Sequence, residues 1–240
     1  MGMTYWLSYG GGVNSTALAV LLVLGKLPQY QPFRMVWADT GDEKDETYTY
    51  ITDHFLPWLD LHGHALDIVR PKETPLQRWE RLCVTGSRIL RTCTVEGKIK
   101  PIETHVAANG GGISLIGIDA GEAHRAKERD GKVYPLVDLD IDRDGCEEII
   151  RDAGLAVPIK SGCWHCPFSR VSDVISLAQN QPCKFERIAR LEESVVARHG
   201  REGFFQWRDK PTGYWRQRAS QKDLFIERDD MMPPCGCYDG

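Results

Sequence analysis

The sequence predicts an α/β protein built on a doubly wound parallel sheet. Three observations carry this. Short apolar runs rich in β-branched and aromatic residues alternate with longer stretches of helical spacing. The first run ends in three successive glycines that open onto a helix. At 240 residues the chain has room for one sizeable core with a small appendage. Strands that alternate with helices imply right-handed crossovers, and therefore parallel strands covered on both faces.

In chain order, Tyr5 to Ser8 is a short apolar strand, and Asn14 to Leu24, rich in Ala and Leu, is a helix. Phe33 to Ala38 is a second strand, closed by Asp39-Thr40-Gly41. A helix from Lys44 to Leu61 follows, with Tyr48, Ile51, Phe55 and Trp58 at helical spacing. Ala65 to Val69 reads as a strand, Leu76 to Cys83 and Ile99 to Ala108 as helices, and Gly112 to Ile118 and Tyr134 to Leu139 as strands. Arg143 to Ala153 is helical. Beyond Pro158 the pattern changes to a cysteine turn, Ser161 to Phe168, and two helices at Val171 to Gln179 and Cys183 to Ala197. Residues 200–240 show no sustained period and are expected to form a loop-rich tail. The division is thus a nucleotide-binding α/β domain over 1–158 and a helical, loop-rich, cysteine-containing region over 159–240.

Composition narrows the function classes. The net charge of −4 gives no global reason to expect a polyanion partner. The apolar run from Thr16 to Leu24 is far short of a bilayer span and follows a glycine turn where a secretory signal has basic residues, so a cytoplasmic protein with no membrane partner is expected. Eight cysteines with close pairs at Cys163/Cys166 and Cys235/Cys237 point to metal or redox chemistry rather than to a secreted disulfide framework.

The strongest functional signal is Ser8-Tyr9-Gly10-Gly11-Gly12-Val13-Asn14-Ser15, at the carboxyl end of the first strand. In an open parallel sheet ligands sit beyond the carboxyl ends of the strands, where backbone amides and a helix N-terminus meet phosphate. Three glycines admit positive φ and a close phosphate, and Asn14, Ser15 or Thr16 can cap the helix and donate to the oxygens. The loop lacks the Gly-Lys-Ser/Thr ending of a P-loop, which argues against γ-phosphate transfer, and it lacks the full dinucleotide fingerprint.

This segment resembles the pyrophosphate loop, SGGxDS, of the adenine nucleotide α-hydrolase (PP-loop ATP pyrophosphatase) superfamily. Trp37-Ala38-Asp39-Thr40-Gly41 with Glu46-Thr47-Tyr48 is similar to blocks of its phosphoadenosine phosphosulfate (PAPS) reductase branch. So is Arg91-Thr92-Cys93-Thr94 with Lys98, Ile99 and Pro101. The matches run in order from Ser8 to about Phe168. Gly10 stands where the family loop has its first serine, and Asn14 where it usually has aspartate; phosphate binding by backbone amides tolerates both. The resemblance implies a Rossmann-like, PP-loop type of sheet that binds ATP or PAPS with Mg²⁺, with Ser8, Tyr9, Gly10, Gly11, Gly12, Asn14, Ser15, Thr16, Asp39 and Thr40 around the nucleotide.

Asp39 ends the second strand at the ligand edge, where it can orient ribose, substrate or a magnesium-bound water, or cap the next turn. Asp42, Glu43, Asp45 and Glu46 suit the start of a helix and are expected to be structural. Arg88, Arg91 and Lys98 make a basic cluster able to hold phosphate or sulfate. Glu122 and Arg125, after the strand ending at Ile118, also face the ligand edge, with His124 a weaker candidate. Asp39, Arg91, Glu122 and Arg125 are therefore the candidate catalytic residues.

Cys163-Trp164-His165-Cys166-Pro167 puts two thiols on one tight turn, half of what a tetrahedral zinc or an iron-sulfur cluster requires. The resemblance extends to iron-sulfur carrying relatives that use a cysteine at the place of Cys93 with a later CxxC. It implies a 4Fe-4S cluster on Cys93, Cys163, Cys166 and a tail cysteine, Cys235. Zinc on Cys163, Cys166, Cys235 and Cys237 is the alternative. Cys83, Cys146 and Cys183 are expected to be reduced, buried and inert. Between Lys184 and Arg228 there are eleven Lys or Arg against seven Asp or Glu, interleaved with Phe204, Phe205, Trp207, Tyr214 and Trp215, a composition that admits a tRNA or DNA surface.

The function expected first is cleavage of ATP to AMP and pyrophosphate to adenylate an acceptor for sulfur transfer, with a sulfur donor as partner. The alternatives are PAPS or adenylyl-sulfate reduction, with Cys235 as nucleophile and a thioredoxin-like reductant, and a silent nucleotide-binding module. A homodimer is compatible with each.

Overall fold

The computed structural model describes residues 3–127, 131–200, 205–208 and 210–221. The chain divides into two compact units. One takes in the residues up to Lys72 and Thr94–Gly162; the other takes in Glu73–Cys93 and the described residues from Cys163 onward.

The first unit is the α/β layer. Five parallel strands, β1 Tyr5–Tyr9, β2 Phe33–Ala38, β3 Leu66–Val69, β4 Ile113–Ile116 and β5 Lys132–Val133, lie in the order β3-β2-β1-β4-β5. Alternate residues of β1 and β2 feed opposite faces, as the two-residue period of a strand requires. Leu7, Tyr9, Met35 and Trp37 join the larger core, with residues of α1 Val13–Val23, of the helical run α2 Asp45–Tyr50, Ile51–Phe55 and α3 Leu56–Leu61, and of a later helix. Trp6, Val36 and Ala38 pack on the other face against Ile102 and Val106. The sheet is doubly wound, as the sequence predicts.

In the second unit α4, Pro75–Leu82, starts with a capping box between Thr74 and Gln77 and stops at Cys83 in the left-handed region, φ 55°. The next helical run, α5 Thr92–Thr94, Val95–Ile99 and α6 Lys100–Ala108, returns to the first unit at Thr94 and supplies Ile102 and Val106. Ile51–Phe55 and Val95–Ile99 are wide π turns, each followed at once by a turn that contains a proline, Pro57 or Pro101. A proline ring in a regular helix clashes with the carbonyl four residues back, and the wider turn makes room.

The expected strand from Tyr134 to Leu139 is a correction. The strand is Lys132–Val133, and Pro135 opens the short helix α7, Pro135–Asp138. Proline has no N–H for the ladder and its φ suits a first helical turn. The helix α8, Arg143–Asp152, capped by Asp142, packs against α1.

The second unit continues with α9 Val171–Asn180, α10 Pro182–His199 and α11 Thr212–Ser220 around Leu76, Trp79, Phe185, Ile188 and Trp207. α11 lies in the segment expected to be loop; its helix contributes Trp215 to that core, so tertiary burial decides where local period is weak. No helix among the described residues is long and apolar enough to cross a membrane.

Candidate functional site

The glycine bend occupies the place the sequence assigns it, between β1 and α1 and beside the point where the strand order reverses. Gly11 has φ +69°, and a Cβ there would stand 3.1 Å from Thr47 Cγ2 and 3.2 Å from Ile51 Cδ1. A Cβ on Gly12 would meet Ser161 Oγ at 2.9 Å. Glycine is thus needed at both places, once for conformation and once for space. Gly12 is the N-cap of α1, and the helix start has no side-chain cap and no acidic residue in its first turn. Its partial positive charge and orphan N–H groups are left for an anion.

Two of the side chains expected around the nucleotide, Ser15 and Thr16, hold the bend itself. Ser15 Oγ accepts from Gly10 N (3.1 Å) and donates to the Gly12 carbonyl (3.1 Å); Thr16 Oγ1 donates to that same carbonyl at 2.8 Å. Tyr9 is fully buried, stacks on Phe55 and stands 3.2 Å from Thr16 Oγ1 through its hydroxyl. Ser8 is a buried strand residue. These side-chain contacts hold the bend and leave main-chain groups at the start of α1.

Asn14 Nδ2 donates to Asp119 Oδ2 at 2.9 Å, joining the loops that follow β1 and β4, the two strands flanking the reversal of order. Asp119 also accepts from Glu122 N at 3.0 Å and so caps the short 3-10 helix Ala120–Arg125. Gly117 lets β4's exit run against α1, since a Cβ there would lie 2.8 Å from Ser15 N. Asp119 was visible in the sequence as an Asp three residues before a Glu, the N-terminal capping pattern. Glu122 and Arg125 pair with each other at 2.6 Å.

At the end of β2, Asp39 is buried and both its oxygens are engaged. Oδ1 accepts from Gly41 N (3.0 Å) and Tyr48 Oη (2.8 Å), and Oδ2 from Arg70 Nε (2.8 Å). Burial, with the Asp39 carboxylate beside it, pushes the Tyr48 phenol far up, so it remains a donor. Of the two roles open to Asp39, this geometry is that of the turn anchor.

Thr40 Oγ1 donates to Glu43 Oε1 (3.2 Å), which also takes Lys98 Nζ at 2.9 Å. This buried ion pair was missed in the sequence, where Glu43 reads as a helix-start acid. The basic cluster divides accordingly. Lys98 belongs to the first unit, whereas Arg88 and Arg91 belong to the second, where Arg88 Nε donates to the Pro167 carbonyl at 3.0 Å and Arg91 takes φ 44°.

Cys163 and Cys166, both half-buried, lie on one turn closed by Cys166 N to the Cys163 carbonyl at 3.1 Å. Their chemistry fits a thiophilic centre as two of four ligands. Among the described residues no three Cys, His, Asp or Glu side chains converge into a group able to hold a metal ion. Cys235 and Cys237 lie outside the described residues. Cys146 is fully buried as expected, Cys83 is half-buried, and Cys183, expected buried, is exposed. Cys183 stands in the first turn of α10, among the exposed residues between the buried Leu177 and Phe185.

The aromatic stretch also differs from expectation. Trp207 and Trp215 are 0% and 2% exposed, packed in the second unit's core, and cannot stack on bases. Arg187 is held bidentately by Glu80, and Arg216 through one bond by Glu186. Phe204 lies outside the described residues.

No family model matches the chain, and no curated protein matches it in sequence. Solved structures do. The U34-tRNA thiolase NcsA of Methanococcus maripaludis, with its 4Fe-4S cluster, superposes at TM-score 0.53 and 17% identity over 80% of this chain and 72% of that one. The chain shares its fold with that structure. PAPS reductase of Candida auris, solved as a phosphate complex, aligns at TM-score 0.47 and 16% identity over 69% of this chain and 83% of that one.

Proposed function

We propose that the chain is an adenine-nucleotide-binding PP-loop enzyme that cleaves ATP to AMP and pyrophosphate, adenylating an acceptor for sulfur transfer. The observation that carries this is the uncapped N-terminus of α1 behind a bend in which Gly11 and Gly12 leave no room for side chains. Main-chain N–H groups there grip the α-phosphate and the leaving pyrophosphate, holding them in place of a P-loop lysine. Asp39 fixes the neighbouring turn through Gly41 and Tyr48. The fold likeness to a tRNA thiolase supports a tRNA nucleobase as acceptor. A sulfur-carrying iron-sulfur centre on Cys163, Cys166 and cysteines beyond the described residues agrees with the donor chemistry of the turn, and zinc is the competing occupant.

The test is pyrophosphate release from ATP and Mg²⁺ by anaerobically purified protein, with calorimetry of ATP binding. Release that Gly12→Val abolishes supports the assignment. Sulfite formed from PAPS and thioredoxin, without pyrophosphate from ATP, reassigns the chain as a reductase. Absence of nucleotide binding overturns both.

A further inference from the structure

Three successive carbonyls of the cysteine turn are each held by a side chain remote in sequence. Gln206 Nε2 donates to the His165 carbonyl at 2.6 Å, Trp207 Nε1 to the Cys166 carbonyl at 3.1 Å, and Arg88 Nε to the Pro167 carbonyl at 3.0 Å. The donors are themselves fixed. Gln206 Oε1 accepts from Gly86 N (2.8 Å), and the buried Glu192 accepts Gln206 N (2.9 Å) on one oxygen and Thr212 N (2.8 Å) on the other. Trp207 lies against Phe185, with ring centroids 5.8 Å apart at 15°. All these residues belong to the second unit.

A turn needs no such network merely to close, because its own bond from Cys166 N to the Cys163 carbonyl does that. What the three donors add is a fixed orientation of the peptide planes on both sides of Cys166, which reaches Cys163 through the Cys166 N bond to its carbonyl. We propose that Gln206, Trp207 and Arg88 are positioning residues that preform Cys163 and Cys166 as a two-thiol half-site for a thiophilic divalent ion. Ordering the pair before the ion arrives removes a cost that binding otherwise bears, and partners behind metal ligands typically matter about 10–100-fold in affinity. The inference rests on the cysteine turn as a ligand site and is independent of the glycine bend.

The experiment titrates the full chain, reduced and metal-free, with Cd²⁺ alone and follows the thiolate-to-metal absorbance. The C163S/C166S double variant defines the part of the signal that belongs to the turn. Trp207→Phe keeps an aromatic ring against Phe185 and removes the indole donor; Gln206→Ala removes the neighbouring donor. The expected result is a turn-dependent signal whose Cd²⁺ affinity drops about 10–100-fold in both variants while circular dichroism stays native and ATP binding is unchanged. Wild-type affinity in folded Trp207→Phe overturns the positioning role. A signal undiminished in C163S/C166S overturns the half-site itself, without touching the nucleotide assignment.

Discussion

Asn14 and Asp119 are joined by a 2.9 Å hydrogen bond between the loops after β1 and β4, across the reversal in strand order. Arg143 Nη1 stands 3.5 Å from the other side of the same amide. An aspartate at position 14 would turn the donated bond into two facing carboxylates, one of them the buried Asp119. Asn14 is therefore matched to Asp119.

Asn14→Asp is accordingly predicted to destabilise more than Asn14→Ala. Alanine deletes the bond to Asp119, about 0.5–1.5 kcal/mol, and the long contact from Arg143; aspartate keeps Arg143 but sets an oxygen without a donor against buried Asp119, about 1–3 kcal/mol. Urea unfolding of the three proteins at neutral pH checks the order. An Asn14→Asp protein as stable as the native one would show that the pairing with Asp119 contributes nothing.

For Asp39 the structure predicts a stability phenotype as well as a functional one. Asp39→Asn loses charged acceptance of Arg70 and Tyr48 and turns an amide toward one of the donors. Bonds to charged groups contribute about 1.5–3 kcal/mol each, and Arg70 is mostly exposed, so a loss of about 2 kcal/mol is expected. Thermal unfolding and pyrophosphate release measured together decide the matter. Lost turnover with unchanged stability would return Asp39 to direct chemistry.

The sequence made the strand-helix alternation, the glycine bend and the place of Asp39 legible because each depends on local period or on backbone geometry near one position. Lys98 with Glu43, and Gln206 with His165, are 55 and 41 residues apart, and no local pattern announces such pairs. Trp207 and Trp215 misled for the opposite reason. Interleaved basic and aromatic residues look alike whether the rings face solvent or a core, and here the rings fill the core while Arg187 and Arg216 meet glutamates. Residues 134–139 misled because the apolar run of strand length contains Pro135, whose fixed φ and missing N–H suit the first turn of a helix.

Burial raises the Glu192 carboxyl above its ordinary 4.5, although two backbone N–H groups from Gln206 and Thr212 pull the other way. A folded-state pKa above the unfolded value contributes stability that is complete below about pH 4.5 and is lost as pH rises through the folded value. Relative to Glu192→Gln, the native chain should therefore lose stability as pH is raised from 4 toward neutrality, with a limiting slope of about 1.4 kcal/mol per pH step of one between the unfolded and folded values. Denaturant midpoints of both proteins across that range give the slope. A difference that stays flat would mean the two N–H bonds cancel the burial effect.

Cysteine accessibility separates inert from available thiols. Cys146 is fully buried and burial pushes its thiol up to about 12, whereas Cys183 is exposed at the start of α10. Iodoacetamide at pH 8 should label Cys183 early in the folded protein and leave Cys146 unlabelled until denaturant is added, as peptide mass spectrometry would show. Early labelling of Cys146 would require α8 to open from α1.

Gly12 and Ser161 provide the sharpest test of the phosphate bend. With Ser161 Oγ 2.9 Å from where a Cβ would stand, Gly12→Ala must displace either Ser161 or the bend itself, and only the second moves the amides that face phosphate. If the bend moves, Gly12→Ala weakens ATP binding by about tenfold, near 1.4 kcal/mol. Adding Ser161→Gly opens the space and should restore much of it, a coupling that a double-mutant cycle in ATP affinity measures directly. Additive losses in the cycle would mean that the Gly12 side chain position acts on ATP itself rather than through Ser161. No loss in the single variant would mean that the hydroxyl swings aside and the bend holds its shape without a glycine at position 12.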